Sequence, residues 1–130
     1  MTKPLRTLIV DDNHTFVESA ANFLMERPQI EVVGSAYSGQ EALDKVEEFA
    51  PDLVLMDLSM PQMDGFEATR KIKARDNPPV VIILTLYDYP EYRDRAKIAG
   101  ADGFVSKVDL GVKLMPLISE LFAGLGVNKS

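Results

Sequence analysis

Acidic side chains stand directly after two short apolar runs of the sequence, where they could do chemistry. Residues 8–10 are followed by Asp11 and Asp12, and residues 53–56 are followed by Asp57. Carboxylates that gather at one place raise each other's pKa unless a cation neutralises them. Oxygen ligands of this kind favour Mg²⁺, which often shares a phosphate oxygen with its protein ligands. The residue types therefore indicate a Mg²⁺ site that could also handle a phosphoryl group.

A hydroxyl and an ammonium follow two further apolar runs. Thr85 follows residues 80–84, and Lys107 comes just after residues 103–105. A Lys can pair with a carboxylate and can bind a phosphoryl group as a point charge. A Thr hydroxyl can donate a hydrogen bond to a phosphoryl oxygen. Because an Asp carboxylate can act as a nucleophile, the set suits phosphoryl transfer onto an aspartate.

These side chains meet only if the elements that carry them form one sheet. Five short apolar runs alternate with stretches of helical periodicity, which predicts a parallel sheet with right-handed crossovers and helices on both faces. Residues 80–84 are apolar on both faces, as a strand covered on both sides must be. Ligands of such sheets bind at the carboxyl ends of the strands, where all the residues above are expected. The first helical stretch repeats at Phe16, Ala20, Phe23 and Leu24.

Capping residues and prolines set the expected bounds of the later helices. Ser38, with Glu three residues later, predicts a helix to about residue 49, and Asp64 is the predicted N-cap of the next helix. Pro90 begins a further helix that Gly100 ends. The last helix is expected to reach about Leu125, with an uncertain start because Pro116 fits only a first turn or a kink.

The composition narrows the class of protein. The 130 residues fit one domain, predicted at 1–125, with 126–130 as a tail or the start of a linker. The formal net charge of -6 argues against direct binding of nucleic acid. Cysteine is absent, which excludes thiolate chemistry, and no apolar run is long enough for a signal peptide or a membrane span. We expect a cytoplasmic protein that does not bind membranes.

Taken together, these motifs resemble a response-regulator receiver domain of bacterial two-component signalling, the family of the chemotaxis receivers. The resemblance covers nearly the whole chain and rests on Asp11-Asp12, residues 56–65 (MDLSMPQMDG), Thr85, residues 100–104 (GADGF) and Lys107. It implies a flavodoxin-like, doubly wound sheet of five parallel strands in the order 2-1-3-4-5. Residues 84–88 (LTLYD) resemble the subgroup that is attached to helix-turn-helix DNA-binding domains, so the chain could be part of a longer regulator or stand alone.

The resemblance assigns roles at the acidic cluster. It makes Asp57 the phosphoacceptor and the phosphohistidine of a sensor histidine kinase the donor. Mg²⁺ would be bound by Asp12, Asp57 and the backbone carbonyl of Ser59, with Asp11 helping. The domain would catalyse only its own phosphorylation and dephosphorylation, and would not be an enzyme with a substrate to turn over.

The resemblance also assigns a switch. Thr85 would hydrogen-bond the phosphoryl group, Lys107 would pair with it, and Phe104 would be the switch aromatic that follows Thr85 inward. The fourth helix, fifth strand and fifth helix would then change shape and control an output, a partner or a homodimer that depends on phosphorylation. The output would be transcriptional if the chain belongs to a longer regulator.

Other functions stay open at this point. A degenerate receiver could bind partners without phosphorylation, although the acid, Thr and Lys set is complete. A Mg²⁺-dependent phosphohydrolase usually needs a second acid two residues after the nucleophile, where this chain has Ser59. A flavodoxin-like cofactor carrier would need a phosphate-binding loop after the first strand, but that loop is acidic here.

Several side chains near the predicted site have two interpretations. Leu86 follows Thr85 where many receivers have a small residue, so it could shield an acyl phosphate from water. Tyr87, Tyr89 and Tyr92 could mark a partner surface or could pack on the fourth helix. His14 is interpreted as an exposed residue of the first helical turn.

Overall fold

A five-stranded parallel sheet forms the centre of the molecule. The computed structural model describes residues 3–123. Its strands lie in the order β2-β1-β3-β4-β5, which confirms the expected flavodoxin-like topology. They are β1 (Leu5–Val10), β2 (Ile30–Ala36), β3 (Leu53–Asp57), β4 (Val80–Thr85) and β5 (Gly103–Ser106).

Five helices connect and follow the strands. They are α1 (His14–Met25), α2 (Gly39–Phe49), α3 (Gly65–Lys73), α4 (Pro90–Ala99) and α5 (Leu110–Ala123), with a short 3₁₀ turn at Lys107–Asp109. Ser38 and Asp64 cap α2 and α3 as predicted, because each side chain accepts a hydrogen bond from the third backbone N–H of its helix. Pro90 is the first residue of α4, and Gly100 ends it in the left-handed region at φ 99°.

The core consists of two layers, one on each face of the sheet. Alternate residues of β1, β3 and β4 point to opposite faces, so these three strands contribute to both layers. Val17, Ala20 and Leu24 of α1 and Leu114, Ile118 and Phe122 of α5 complete the first layer. Helices α2, α3 and α4 cover the second layer with small and branched apolar side chains. The interior strands β1, β3 and β4 are therefore held rigidly from both sides, and their carboxyl ends are fixed.

Three details differ from the pattern in the sequence. The second apolar run of the sequence ends at residue 33, but strand β2 continues to Ala36. Its register with β1 shifts between Thr7 and Leu8. Helix α1 buries Val17, whereas Phe16 and Phe23 are only half-buried against the first layer. Helix α5 passes through Pro116, which is exposed, so water can satisfy the carbonyl that loses its partner there.

Two further expectations concern the C-terminal end of the chain and the absence of a membrane span. The predicted helix end at Leu125 and the tail at 126–130 lie outside the described residues. Within residues 3–123, no helix combines the length and the apolar composition that crossing a bilayer requires.

Candidate functional site

Asp11, Asp12 and Asp57 meet at the carboxyl edge of the sheet. One carboxylate oxygen of each lies within 4.8 Å of the others. The cause is the register of the central strands: Val10 of β1 pairs with Met56 of β3, so the acids that follow both residues lie side by side. Asp11 and Asp57 are 1% and 6% exposed, whereas Asp12 is exposed to solvent. The convergence expected from the sequence is present, with two buried acids and one accessible acid.

Lys107 bridges the two buried carboxylates. Its Nζ donates to Oδ2 of Asp11 at 2.7 Å and lies 2.9 Å from Oδ1 of Asp57. The residue comes directly after β5, and its side chain crosses the edge of the sheet over β4 and β3 to reach both acids. The Lys107 side chain is only 12% exposed, so the ammonium and the carboxylates interact with little screening by water.

Burial and charge both act on Asp57. The pKa of Asp57 is raised overall from its ordinary 3.8 to about 6, chiefly by burial and also by the neighbouring charges of Asp11 and Asp12. The hydrogen bond from Lys107 opposes it. For Lys107, burial lowers the pKa, but the bonds to Asp11 and Asp57 outweigh burial and raise it overall. The cluster therefore holds more negative charge than its one ammonium neutralises, which favours a further cation.

Local hydrogen bonds hold Asp11 in place. Its Oδ1 accepts from the backbone N–H of Asn13 at 2.9 Å, and its own N–H donates to the carbonyl of Ala36 on β2 at 3.0 Å. Asn13 in turn caps α1, because its side chain accepts from the N–H of Phe16 at 3.0 Å. The turn after β1 thus orients one acid and starts the first helix at the same time.

The loop after Asp57 is held close to the strand. The N–H of Gly65 donates to the carbonyl of Leu58 at 2.9 Å. A Cβ atom at Gly65 would lie 2.1 Å from the carbonyl oxygen of Asp57, so only glycine fits there. Ser59 lies in this loop, exposed, two residues after Asp57. Its carbonyl remains a predicted metal ligand.

Thr85 and Phe104 occupy the neighbouring strands. Thr85 is 1% exposed, and its Oγ1 accepts from the N–H of Tyr87 at 3.0 Å, which leaves the hydroxyl hydrogen available for donation. Phe104 on β5 is half-buried against the second core layer, and the guanidinium carbon of Arg93 lies 4.7 Å from its ring centroid. Thr85 therefore lies next to Leu84, the β4 residue that pairs with Asp57, and Phe104 lies on β5 three residues before Lys107. The switching roles of both residues remain predictions.

The leucine and the tyrosines that follow Thr85 differ in how far they are buried. Leu86, Tyr87 and Tyr89 are exposed to 62%, 47% and 52% respectively. Tyr92 is half-buried and packs edge-to-face on Phe66 of α3, with ring centroids 6.0 Å apart. Tyr92 therefore fits the packing interpretation, and Tyr87 and Tyr89 present exposed rings above α4.

One contact at the site, between Phe16 and Lys107, was not expected from the sequence. His14 is exposed in the first turn of α1, as expected, and its ring stacks on Tyr37 at a centroid distance of 3.9 Å. Phe16 lies under the ammonium of Lys107, with Nζ 4.2 Å from its ring centroid. Helical spacing had placed Phe16 among core residues, and nothing in that spacing distinguishes a ring in the core from a ring at its rim.

The donor set at this edge fits Mg²⁺. The cluster offers only oxygen atoms from the protein and one exposed carboxylate, Asp12, which suits a hard cation that keeps part of its water. The nearby ammonium of Lys107 limits the net negative charge and would suit an anion that shares the cation. The oxygen donors and their spacing within 4.8 Å of one another are therefore compatible with Mg²⁺.

Comparison with known proteins places the chain in a family. The family model described as a response regulator receiver domain matches residues 7–115. The transcriptional regulatory protein YhcZ of Bacillus subtilis, itself uncharacterized, is 42% identical over 103 residues, which are 79% of this chain and 48% of that protein. A protein-glutamate methylesterase/protein-glutamine glutaminase of Alkalilimnicola ehrlichii is 39% identical over 104 residues, which are 79% of this chain and 27% of that protein. The chain therefore spans about half or less of the length of these curated relatives.

The solved structures agree with this result. The crystal structure of a two-component response regulator of the LuxR family from Aurantimonas superposes with a TM-score of 0.88 at 33% identity, and covers 94% of this chain and 87% of that one. With the family match and the superposition in agreement, the chain belongs to the response regulator receiver domains of two-component signalling.

Proposed function

We propose that Asp57 accepts a phosphoryl group from the phosphohistidine of a sensor histidine kinase in a Mg²⁺-dependent reaction. The observation that carries the proposal is the position of the Lys107 ammonium, 2.7 Å from Asp11 and 2.9 Å from Asp57. A lone acid at a strand end has many explanations. A buried acid that shares an ammonium with a second buried acid, beside a third, is arranged to receive an anion together with a cation.

The chain's own residues account for the chemistry of transfer. A carboxylate oxygen of Asp57 attacks phosphorus, the new P–O bond forms, and the P–N bond breaks with its electrons going to the imidazole of the donor. The pKa of Asp57 near 6 leaves the group mostly ionised at neutral pH, which a nucleophile needs. Lys107 lies beside Oδ1 of Asp57 and would move with its charge onto a phosphoryl oxygen.

The metal site would use the same edge of the sheet. Asp11, Asp12, Asp57 and the carbonyl of Ser59 would hold Mg²⁺, in line with the acidic cluster seen here. When bound, Mg²⁺ supplies positive charge that offsets the charge of the phosphoryl oxygens and of the acids. Asp11 is already oriented by Asn13 and by Lys107, so the site is largely formed before any ligand arrives.

The response to phosphorylation would run through β4 and β5. The Thr85 hydroxyl retains its donor hydrogen and would bond a phosphoryl oxygen on Asp57, one strand away. Phe104 on β5 would then move toward the space that Thr85 leaves. The face formed by α4, β5 and α5 would change shape and charge. Exposed apolar residues already lie there, Val108 at 81% and Val112 at 77% exposure, and they could serve a homodimer or another partner.

The process that the receiver controls would depend on the domain or partner that it regulates. Relatives of similar sequence include a transcriptional regulatory protein and a methylesterase, and a receiver that controls transcription through an attached DNA-binding domain fits the first of these. The domain itself would bind neither nucleic acid nor membrane, would meet its sensor kinase in the cytoplasm, and would turn over no external substrate. Leu86 is exposed at the rim and would slow the approach of water to the acyl phosphate.

The decisive experiment is the intact mass of the protein after incubation with Mg²⁺ and acetyl phosphate. Wild type is expected to gain one phosphoryl group, and no gain is expected with EDTA or in Asp57→Asn. Asp94→Asn, an exposed change on α4, is the matched control and should be phosphorylated like wild type. A folded wild type that gains no mass would contradict the proposal and would favour a binding module that works without phosphate.

A further inference from the structure

The ring of Phe16 is held against the ammonium of Lys107. Nζ lies 4.2 Å from the ring centroid, within the range of a cation–π contact. Phe16 is in the first turn of α1, where its N–H bonds the Asn13 side chain at 3.0 Å, and its ring packs on the edge of the first core layer. The ring is therefore fixed both by the helix cap and by the core.

The surroundings of the ammonium show what this ring adds. A lysine ammonium has three N–H bonds. Two carboxylates lie within hydrogen-bond distance, Asp11 at 2.7 Å and Asp57 at 2.9 Å, and the face of Phe16 is a third neighbour. In the proposed reaction both carboxylates take on other partners, since Asp57 is phosphorylated and Asp11 joins the metal site. The Phe16 ring is a ligand of neither the metal nor the phosphoryl group, so it stays available to Nζ while the ammonium turns from Asp57 to a phosphoryl oxygen.

We infer that Phe16 is a positioning residue, whose ring face holds the ammonium of Lys107 at the phosphoryl site while its carboxylate partners change. The inference rests on the proposed function of Asp57. It requires a π face at position 16, because an aliphatic side chain of similar bulk fills the space without attracting the cation. The energy of a partly exposed cation–π contact corresponds to about a two- to fivefold effect on a rate.

The first test compares side chains that keep or lose the ring face. Phe16→Leu keeps apolar bulk, and Phe16→Tyr and Phe16→Trp keep an aromatic face. Phe23→Leu is the matched control, because Phe23 is a half-buried ring on the same helix that packs on the same core layer and contacts Arg27 instead. The rate of phosphoryl gain from acetyl phosphate with Mg²⁺ should fall about two- to fivefold in Phe16→Leu and stay near wild type in the other three variants.

The second test needs neither metal nor phosphodonor. Protons above an aromatic face are shielded, so the ε-methylene protons of Lys107 next to Nζ should resonate upfield of the other lysines in NMR spectra. The upfield position should persist in Phe16→Tyr, Phe16→Trp and Phe23→Leu and should be lost in Phe16→Leu.

The outcomes separate this inference from the proposal it rests on. If wild type is phosphorylated and Phe16→Leu reacts at the same rate, the ring does not position Lys107. If the Tyr and Trp variants are as slow as the Leu variant, shape rather than the π face matters, and the inference is also wrong. If wild type gains no phosphoryl group, the proposed function fails, while the NMR shift alone still decides whether the contact exists.

Discussion

Asp57 is ionised at neutral pH at a cost to the stability of the fold. Its pKa is raised from 3.8 to about 6, chiefly by burial. Below about pH 4 the group is protonated in both the folded and the unfolded chain and costs nothing. Between pH 3.8 and about 6, Asp57 is ionised in the unfolded chain but still protonated in the folded chain, so the stability of the fold declines as pH rises. Above about pH 6 the full cost is present. If Asp57 is the phosphoacceptor as proposed, the charge that its reaction requires makes the fold less stable than a neutral side chain in the same place would.

Asp57→Asn is therefore expected to stabilise the protein in EDTA at pH 7.5, by up to about 3 kcal/mol in the free energy of unfolding. The gain should shrink as pH falls from 6 and be nearly gone at pH 4. Urea denaturation at a series of pH values measures both quantities. Asp94→Asn should change stability little at every pH, and a gain for Asp57→Asn that does not depend on pH would contradict this account.

Gly65 limits which side chains the loop after Asp57 tolerates. Because a Cβ atom there would lie 2.1 Å from the carbonyl oxygen of Asp57, Gly65→Ala must push α3 or the end of β3 aside. We expect a loss of roughly 1–3 kcal/mol or more in the free energy of unfolding, as for other overpacked sites. If Asp57 accepts a phosphoryl group as proposed, we also expect slower phosphorylation, because the backbone of Asp57 shifts.

Gly111 provides the control for that prediction. A Cβ atom at Gly111, in the first turn of α5, meets nothing within 4 Å. Gly111→Ala should stabilise the protein by about 0.5–1 kcal/mol, because alanine restricts the unfolded chain and favours the helix. Equal effects of the two substitutions in urea denaturation would show that backbone entropy, and not the close approach to Asp57, governs position 65.

At the scale of elements, α3, β4 and β5 are joined at the end of the sheet opposite the site. Lys73 at the end of α3 donates to the carbonyl of Pro79 at 2.9 Å and to Oδ2 of Asp102 at 2.8 Å. The same oxygen of Asp102 accepts from the N–H of Val81 on β4 at 2.8 Å. One lysine and one aspartate thus fix the start of two strands and the end of a helix.

Lys73→Met should therefore lower the free energy of unfolding by about 1.5–3 kcal/mol, since it removes the hydrogen bonds of a charged donor and takes away the cation that pairs with Asp102. Lys71→Met is the matched control on the same helix. Its exposed pair with Glu67, 3.3 Å long, should contribute about 0.3–0.5 kcal/mol. Chemical denaturation of both variants checks the difference, and similar losses would contradict it.

The elements differ in how well the sequence predicts them. The starts of α2, α3 and α4 follow from Ser38, Asp64 and Pro90, because capping is local chemistry. The end of β2 does not follow from the local sequence, because Gly34 and Ser35 disfavour a strand. Pairing with β1 holds them in one. In α1 the helical period cannot distinguish buried Val17 from half-buried Phe16, because the two adjoin on the helix and the sheet decides which is covered.

At the scale of the whole molecule, ligand binding and folding are coupled. If Mg²⁺ binds the folded acids and not the unfolded chain, saturation at a hundred times the dissociation constant adds about 2.7 kcal/mol to the free energy of unfolding. We expect Mg²⁺ to raise the melting temperature of wild type well beyond the effect of KCl at equal ionic strength. Asp12→Asn should lose most of this difference and Asp94→Asn none of it, as measured by thermal melts. An equal response of all three proteins would place the ion elsewhere.

The site was predictable in its members but not in its contacts. Asp11, Asp12, Asp57 and Lys107 stand at strand ends, and the rule that parallel strands share one edge brings them together. That rule gives no strand order, which came from the resemblance to the family and is confirmed by the fold. It also could not show that Lys107 bonds both buried acids, because the path of a long side chain depends on packing between distant segments.

The bond between Lys107 and Asp11 joins residues that lie 96 positions apart. A ribosome makes Asp11, Asp12 and Asp57 before it makes Lys107, so the growing chain has these acids without the matching ammonium until β5 and Lys107 have been made. A chain interrupted before that strand would also lack the edge that carries Phe104. If Asp57 receives phosphate as proposed, a partly made copy would be a poor acceptor, and signal would pass mainly to finished domains.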